Sequence, residues 1–201
     1  VDWKKIHDKY AVMLPYVNHR NDLTYIIGEM IAELNIGHAY VNNGERPMPE
    51  RIQTGLLGAE LTRDPSGFAR IDKILEGANW NPGLVSPLKE IGVGAKNGDF
   101  IIAVNGQPVN KVNDIYELLV GQAGKLVELT INSKPEITGS RKVIIKTIAS
   151  ESALYYFNRA QNNTKKVSEA TNGKVRYIHI PDTGVPGLNQ FIEHYYPQLN
   201  K

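Results

Sequence analysis

The sequence predicts an α+β fold in which a central, partly open β-barrel lies between a helical N-terminal segment and an α/β C-terminal segment. Three observations predict this fold. Residues 2–34 repeat apolar side chains at helical spacing. Residues 56–148 contain short apolar runs separated by turn sequences, and residues 152–195 place helical patterns on both sides of one strand pattern.

A proline-containing linker separates the first segment from the rest of the chain. Residues 45–50 form this linker, and the three segments are 1–44, 51–148 and 149–201. The last segment opens an α/β unit but stops before the second strand that would cover it. We therefore expect the chain to be truncated at its C-terminal end and to belong to a longer polypeptide.

Composition narrows the classes of partner and site. The net charge is +2, and no basic stripe with interleaved aromatic residues is present, so we predict no nucleic-acid partner. No apolar run approaches the ~18 residues that a membrane span needs. The chain has no cysteine and no His-Glu-x-x-His pair, so we predict neither a metal site nor a cofactor.

Two amphipathic helices are predicted in the N-terminal segment. The first covers residues 2–14, with Asp2 as its N-cap. Asn21 or Asp22 caps the second. The apolar face of the first helix comprises Trp3, Ile6, Tyr10, Met13 and Leu14, and that of the second comprises Leu23, Ile26, Ile27, Met30, Ile31 and Leu34.

A corner follows the second predicted helix. The helix ends near Asn35, and His38 comes at the turn into a short strand at residues 39–41. Asn42-Asn43-Gly44 is then typical of a turn. This position can direct the imidazole of His38 into a cleft.

The central segment predicts five strands and one helix. The strands are residues 56–62, 68–75, 100–104, 126–131 and 142–148. Asn113 can cap a helix that runs to Val120. Residues 76–88 are rich in Gly, Asn and Pro and predict a long loop.

The C-terminal segment predicts helices at residues 152–161 and 164–171, a strand at 174–180 and an amphipathic helix carrying Leu188 and Tyr195. His179 falls on this strand, so we interpret it as a packed or surface residue rather than a ligand.

Three stretches carry a family resemblance when they are taken in chain order. The first runs from Trp3 to the sequence His38-Ala39-Tyr40, the second is the central segment with Gly55-Leu56-Leu57-Gly58, and the third runs from Gly173 to Pro197. The second stretch resembles a PDZ domain. Together, the three resemble the tricorn protease family of S41-type serine peptidases over essentially the whole chain.

The resemblance implies hydrolysis of oligopeptides by acyl transfer, with His38 as the general base. It implies that the nucleophilic serine, an orienting glutamate and the oxyanion hole lie beyond residue 201, so the 201-residue chain alone is expected to be inactive. The family often has Ser immediately before this histidine, whereas this chain has Gly37. The resemblance further implies a homo-oligomer for the full-length protein, in the cytoplasm or the bacterial cell envelope.

The residues alone leave the role of His38 open. An imidazole, with its ordinary pKa of about 6.5, suits a general base. A single histidine at such a corner is nevertheless more often structural. None of the seven serines lies in a Gly-x-Ser-x-Gly sequence, so we assign no nucleophile within the chain.

Gly55, Leu56, Leu57 and Gly58 form the candidate peptide-binding loop. In PDZ domains, the corresponding loop offers N–H groups to a C-terminal carboxylate, and the peptide adds as a strand against the helix, here residues 113–120. The expected partners are therefore peptides or the C-terminal tails of proteins. Alternatively, the glycines only serve a tight backbone turn. A non-catalytic PDZ module for peptide binding or scaffolding is the second functional hypothesis.

Overall fold

The computed structural model describes residues 1–42, 44 and 49–199, which fall into two compact units, Val1–Arg51 and Ile52–Lys201. Asn43 and residues 45–48 lie outside the described residues, and they include part of the predicted turn and most of the predicted linker. The predicted α+β class is confirmed, because helices lie on both sides of a six-stranded sheet along the chain. The division into three segments stays a prediction.

Two helices form the N-terminal unit. α1 spans Trp3–Ala11 and α2 spans Arg20–Ala32, with a 3-10 turn at Leu14–Tyr16 between them. The buried residues of this unit are Ile6, Tyr10 and Ile26, with Val17 and Met30 packed against them. Trp3, Met13 and Leu14, predicted on the same face as Ile6, are exposed in the described unit. Only the middle of the predicted apolar face is therefore buried within this unit.

The N-terminal caps follow the predicted pattern at α1 and differ from it at α2. Asp2 accepts a hydrogen bond from the backbone N–H of Lys5, as predicted. α2 is capped by His19 instead of Asn21 or Asp22. The carboxylate of Asp22 accepts the N–H of His19 at 3.3 Å, while the ring of His19 accepts the N–H of Asp22. This reciprocal capping box makes Asp22 the third helical residue and not the cap.

A cluster of three side chains joins α1 to the end of α2 and predicts a pH dependence. Lys9 and the Tyr10 hydroxyl donate to the Glu33 carboxylate at 2.5 and 2.9 Å, and these hydrogen bonds, led by that from Lys9, lower its pKa. The contribution of Glu33 to stability is therefore present above its ordinary pKa of 4.5 and is lost as the pH falls below it. We expect Glu33→Gln to remove this acid-side loss from thermal unfolding curves.

The control for Glu33 is Glu29→Gln, which removes an exposed carboxylate from the same helix. It should keep the pH dependence of the unaltered chain between about pH 3 and pH 7. Identical pH profiles for the unaltered chain and Glu33→Gln would contradict the assignment.

The strand predicted for residues 39–41 is wrong, since these residues have no regular secondary structure. A strand needs a partner for its backbone N–H and C=O groups. The described part of the N-terminal unit contains no strand that could provide one.

Six antiparallel strands form the sheet of the second unit. They are β1 Ala59–Arg63, β2 Ala69–Ile74, β3 Phe100–Val104, β4 Gln107–Pro108, β5 Leu126–Asn132 and β6 Arg141–Lys146. Their order is β1-β2-β3-β5-β6, with β4 paired to β3. Leu56 and Ile148 also exchange two backbone hydrogen bonds, of 2.8 and 3.0 Å. The chain before β1 thus meets the end of β6, which partly closes the sheet, as predicted.

The helix beside the sheet is shorter and tighter than predicted. It is a 3-10 helix at Ile115–Leu119, capped by Asp114 with Glu117 in a capping box. Ile115 and Leu119 bury their side chains against the sheet. The prediction of an ordinary helix from Asn113 to Val120 is wrong, since only Ile115–Leu119 are helical and they form a 3-10 helix.

One long helix, α3, replaces the two helices predicted after the sheet. α3 spans Ser152–Ala170 without interruption. The predicted break lies near Asn162 and Asn163, but the Thr164 hydroxyl donates to the Ala160 carbonyl at 2.9 Å. This bond satisfies the hydroxyl within the helix, although it does not itself stabilise the helix.

The final part of the chain contains no strand among its described residues. Residues 174–180, predicted as a strand, are irregular, and α4 spans Val185–Tyr195. The strand prediction is wrong because no neighbouring strand pairs with these residues in the described second unit. Among the described helices, none combines the length and the apolar character that crossing a bilayer requires.

Candidate functional site

The corner that presents His38 is built by the end of α2. Asn35 has a positive φ of 48°, and its N–H donates to the Ala32 carbonyl at 3.0 Å. Asparagine tolerates this left-handed conformation better than most residues, so the helix stops and the chain reverses there. His38 follows three residues later, at an exposed turn.

The side chain of His38 is exposed beside an aromatic neighbour. Tyr40 donates its hydroxyl to the Gly37 carbonyl at 3.1 Å, and the rings of His38 and Tyr40 meet edge to face with centroids 6.4 Å apart. Within the described residues, no hydrogen bond engages the imidazole of His38. Both ring nitrogens can therefore meet a reacting group.

Serine hydroxyls are confined to the second unit, because the first serine of the chain is Ser66. Ser86 is buried and donates to the Leu75 carbonyl at 2.6 Å. Ser150 and Ser152 hydrogen-bond to each other through their hydroxyls at 3.1 Å. These contacts give the three hydroxyls structural roles.

The predicted peptide-binding loop uses its backbone N–H groups internally. The N–H of Gly55 donates to the Leu119 carbonyl at 2.8 Å, and that of Leu56 donates to Ile148 at 2.8 Å. Leu57 and Gly58 are buried. The loop is therefore tied to the 3-10 helix on one side and to the end of β6 on the other.

Glu151 binds the end of this loop, and the sequence reasoning missed it. One carboxylate oxygen, Oε1, accepts the N–H groups of Gly58 at 2.8 Å and Ala59 at 3.2 Å. Successive N–H groups converge on one anion in this way when a residue with positive φ starts the turn, and Gly58 has φ +73°. A Cβ on Gly58 would lie 2.8 Å from Pro87 Cδ, so only glycine fits.

A narrow groove lies beside the second half of β1. β1 is the first strand in the sheet order, and the 3-10 helix flanks it. The cavity measures about 130 Å³ and is lined by Leu61, Ala69, Val109, Ile115 and Tyr116 among others. Small-molecule sites usually start at roughly 300 Å³, so the groove is narrow for a ligand.

Arg63 lines this groove and lies at the end of β1. Its Nη1 donates to the Val112 carbonyl at 2.6 Å and to the Asn113 carbonyl at 2.7 Å. Because Arg63 is the last residue of β1, these bonds hold the strand to the segment that enters the 3-10 helix.

Burial and neighbouring negative charges shift the pKa values of Glu151 and of two tyrosines beside it. Burial raises the pKa of Glu151 most, hydrogen bonds from Gly58 and Ala59 oppose the rise, and the charge of Glu60 adds to it. Burial and then the Glu151 charge raise the pKa of Tyr116 to about 12. Burial and the same charge also raise the pKa of Tyr155. Glu151 therefore holds its position through backbone N–H groups.

No metal-binding arrangement occurs in the part of the chain that the structure describes, since no three or more His, Asp or Glu side chains converge there. His179 packs among aromatic rings instead. It stacks on Tyr177 and meets Tyr156 edge to face, with centroids 5.2 Å apart.

Comparison with known families assigns both units. A family model described as the tricorn protease C1 domain matches residues 1–32, and one described as the tricorn protease PDZ domain matches residues 55–150. Tricorn protease homolog 1 of Streptomyces coelicolor is 38% identical over 192 residues, which cover 94% of this chain. The chain belongs to the tricorn protease family.

Further tricorn proteases match the chain almost from end to end. The tricorn protease of Thermoplasma volcanium is 30% identical over 98% of the chain. A crystal structure of the tricorn protease superposes with a TM-score of 0.81 at 27% identity over 95% of the chain. The chain spans 18–19% of the length of the two curated relatives and 18% of that crystallised chain.

The ranges matched by the two tricorn family models lie around or beside the candidate residues, but the matches do not assign roles to those residues. His38 lies between the two matched ranges, Gly55–Gly58 lies at the start of the PDZ match, and Glu151 follows its last residue directly. The catalytic role of His38 and the peptide-binding role of the loop stay predictions. A glutamate before a predicted helix start is the local signal by which Glu151 could have been found.

Proposed function

We propose that this chain carries the general base, His38, of a serine peptidase that hydrolyses oligopeptides by acyl transfer. The near end-to-end match to tricorn proteases supports the proposal most strongly. The exposed imidazole at the corner after α2 suits the role. The proposal places the nucleophilic serine beyond residue 201.

The chemistry assigns a defined task to His38. In acyl transfer, the base takes the proton from the serine hydroxyl as the oxygen attacks the peptide carbonyl carbon. The resulting imidazolium then gives that proton to the leaving amine when the C–N bond breaks. Donors at an oxyanion hole stabilise the charged oxygen between these steps. This chain supplies the base, and the remaining polypeptide supplies the serine and the oxyanion hole.

A peptidase assay on two polypeptides tests this proposal. We expect the 201-residue chain alone to show no turnover of an oligopeptide library, and a polypeptide that continues into the predicted second catalytic part to show turnover. Turnover by the 201-residue chain that disappears in His38→Ala would place the nucleophile inside the chain and contradict the proposal.

Gly37→Ser tests whether His38 can accept a further partner. A Cβ on Gly37 would meet no atom within 4 Å, so the serine fits without rearrangement. We expect stability to change by less than about 0.5 kcal/mol. A new hydrogen bond to the imidazole should raise kcat/KM of the longer polypeptide roughly 2- to 10-fold, the equivalent of ~0.5–1.5 kcal/mol.

Gly37→Ala is the matched control for this prediction, because it adds the same Cβ without a hydroxyl. Its kcat/KM should equal that of the unaltered polypeptide. Equal rates for the serine and alanine variants would show that the hydroxyl does not reach His38.

A second candidate function is the binding of peptides or C-terminal protein tails by the PDZ module. Two observations favour it: a groove lies beside β1 and the 3-10 helix, and two N–H groups at the start of β1 converge on a carboxylate. Backbone clusters of this kind capture C-terminal carboxylates. Calorimetry with peptides that carry free or amidated C-termini distinguishes binding from a purely structural insert.

A homo-oligomer of the full-length protein is part of the proposal as well. Analytical ultracentrifugation of the longer polypeptide tests it directly. A single monomeric species at all concentrations would contradict it.

A further inference from the structure

The carboxylate of Glu151 contacts the start of β1 in the way that the carboxylate of a ligand would. It accepts two successive backbone N–H groups, at 2.8 and 3.2 Å, from a loop that lies 92 to 93 residues away in the chain. The contact is not part of the sheet, because β1 forms its backbone hydrogen bonds with β2. Gly58 keeps the backbone in the conformation that creates the two donors.

We propose that Glu151 is an internal ligand of the PDZ module, which occupies the place of a peptide's C-terminal carboxylate and keeps the groove closed to such peptides. This inference rests on the second candidate function, since it describes how that binding site is controlled. A side-chain carboxylate and a C-terminal carboxylate offer the same oxygens to the same donors. They therefore compete for one position.

The contacts of the rest of α3 give Glu151 an advantage over a free peptide. Leu154 is 2% exposed, and its Cδ1 lies 3.4 Å from the position of a Cβ on Gly58. Asn158 binds both the N–H and the carbonyl of Glu76, at 3.0 and 2.7 Å. Because these contacts already anchor α3, Glu151 reaches the loop with little further loss of conformational freedom. A free peptide has to order its own chain before it can bind.

The size of the groove agrees with a closed state. The cavity of about 130 Å³ is smaller than the roughly 300 Å³ at which ligand pockets usually begin. Arg63 holds the end of β1 through its bonds to Val112 and Asn113. Release of Glu151 would free the two N–H donors at the start of β1 while the end of the strand stays anchored.

Peptide binding by three forms of the chain tests the proposal. The probes are a fluorescent heptapeptide that ends in leucine with a free carboxylate and the same peptide amidated. We expect Glu151→Ala to bind the free form at least tenfold tighter than the unaltered chain and to gain nothing for the amidated form. Glu169→Ala removes an exposed glutamate from the same helix and should bind like the unaltered chain. A gain below threefold, or an equal gain for the amidated peptide, would overturn the proposal.

Glu151→Gln covers the case in which the alanine variant does not fold. The glutamine keeps an oxygen for the two N–H groups but lacks the negative charge, so it should compete less well with the free carboxylate. We expect a gain in affinity of at least threefold from this variant as well. A folded glutamine variant with unchanged affinity counts against the proposal.

Amide NMR of the unaltered chain tests the internal contact without any peptide. The Gly58 and Ala59 amide shifts should titrate together with the Glu151 side-chain carbon. Glu60, Tyr116 and Tyr155 also face this carboxylate. Glu60→Gln therefore serves as the control and should leave the shared titration in place.

Amide NMR and peptide binding together distinguish a failure of the internal-ligand proposal from a failure of the peptide-binding function. Absence of the shared titration overturns the internal ligand even if peptides bind. A shared titration with no peptide binding by any variant overturns the peptide-binding function, and the masking role with it.

Discussion

His38→Ala is expected to lower kcat of the longer polypeptide by roughly 10⁴-fold or more, because loss of the base leaves only substrate binding and the oxyanion donors to assist the reaction. The unfolding midpoint should hardly change, since His38 is exposed and the described residues form no hydrogen bond with its ring. Initial-rate kinetics with a fluorogenic oligopeptide measure the effect.

The control for His38 is His7→Ala, which removes an exposed imidazole from the same unit. Its kcat and KM should match those of the unaltered polypeptide. A KM increase without a change in kcat in His38→Ala would show that His38 binds substrate and is not the base.

Asn158→Leu is expected to destabilise the second unit by roughly 2–4 kcal/mol. Asn158 is 6% exposed, and its amide satisfies the backbone N–H and carbonyl of Glu76 and the carbonyl of Leu154. Leucine would remove the side-chain partners of the part-buried Glu76 N–H and carbonyl groups. The thermal midpoint should fall by roughly 5–15 °C for a unit of this size.

Asn162→Leu, on the exposed side of α3, is the matched control for Asn158. It should change the unfolding free energy by less than about 0.5 kcal/mol. Equal effects of the two substitutions would mean that α3 is not anchored to the sheet through Asn158.

The sheet was largely predictable because its strands carry their own pattern. In β5, Val127, Leu129 and Ile131 alternate with more exposed residues, and in β3 a continuous apolar run indicates burial. Turn sequences such as Asn105-Gly106 then delimit the strands. Local sequence determined these elements, and the structure has them within a few residues of the predicted bounds.

The errors arose where a distant partner decides the structure. Residues 39–41 and 174–180 have strand-like composition, but no strand pairs with them in the described units. The break predicted within α3 is wrong as well, since the helix continues through this polar stretch and the Ala160 carbonyl accepts the Thr164 hydroxyl. Propensity alone does not report such contacts.

The candidate site was likewise predictable only where local sequence determines the structure. The turn at His38 was predictable from the end of an amphipathic helix at Asn35. The role of Glu151 was not, since its two partners lie 92 to 93 residues earlier in the chain. The sequence marks Glu151 only as a glutamate before a helix start and does not show which groups it binds.

Labelling with a fluorophosphonate serine probe tests the central claim most directly, because it reports an activated serine without assuming a substrate. We would compare the longer polypeptide that contains this chain with its His38→Ala and His7→Ala variants. If His38 is the base, the unaltered polypeptide and His7→Ala label, and His38→Ala does not. Equal labelling of His38→Ala and the unaltered polypeptide would contradict the claim.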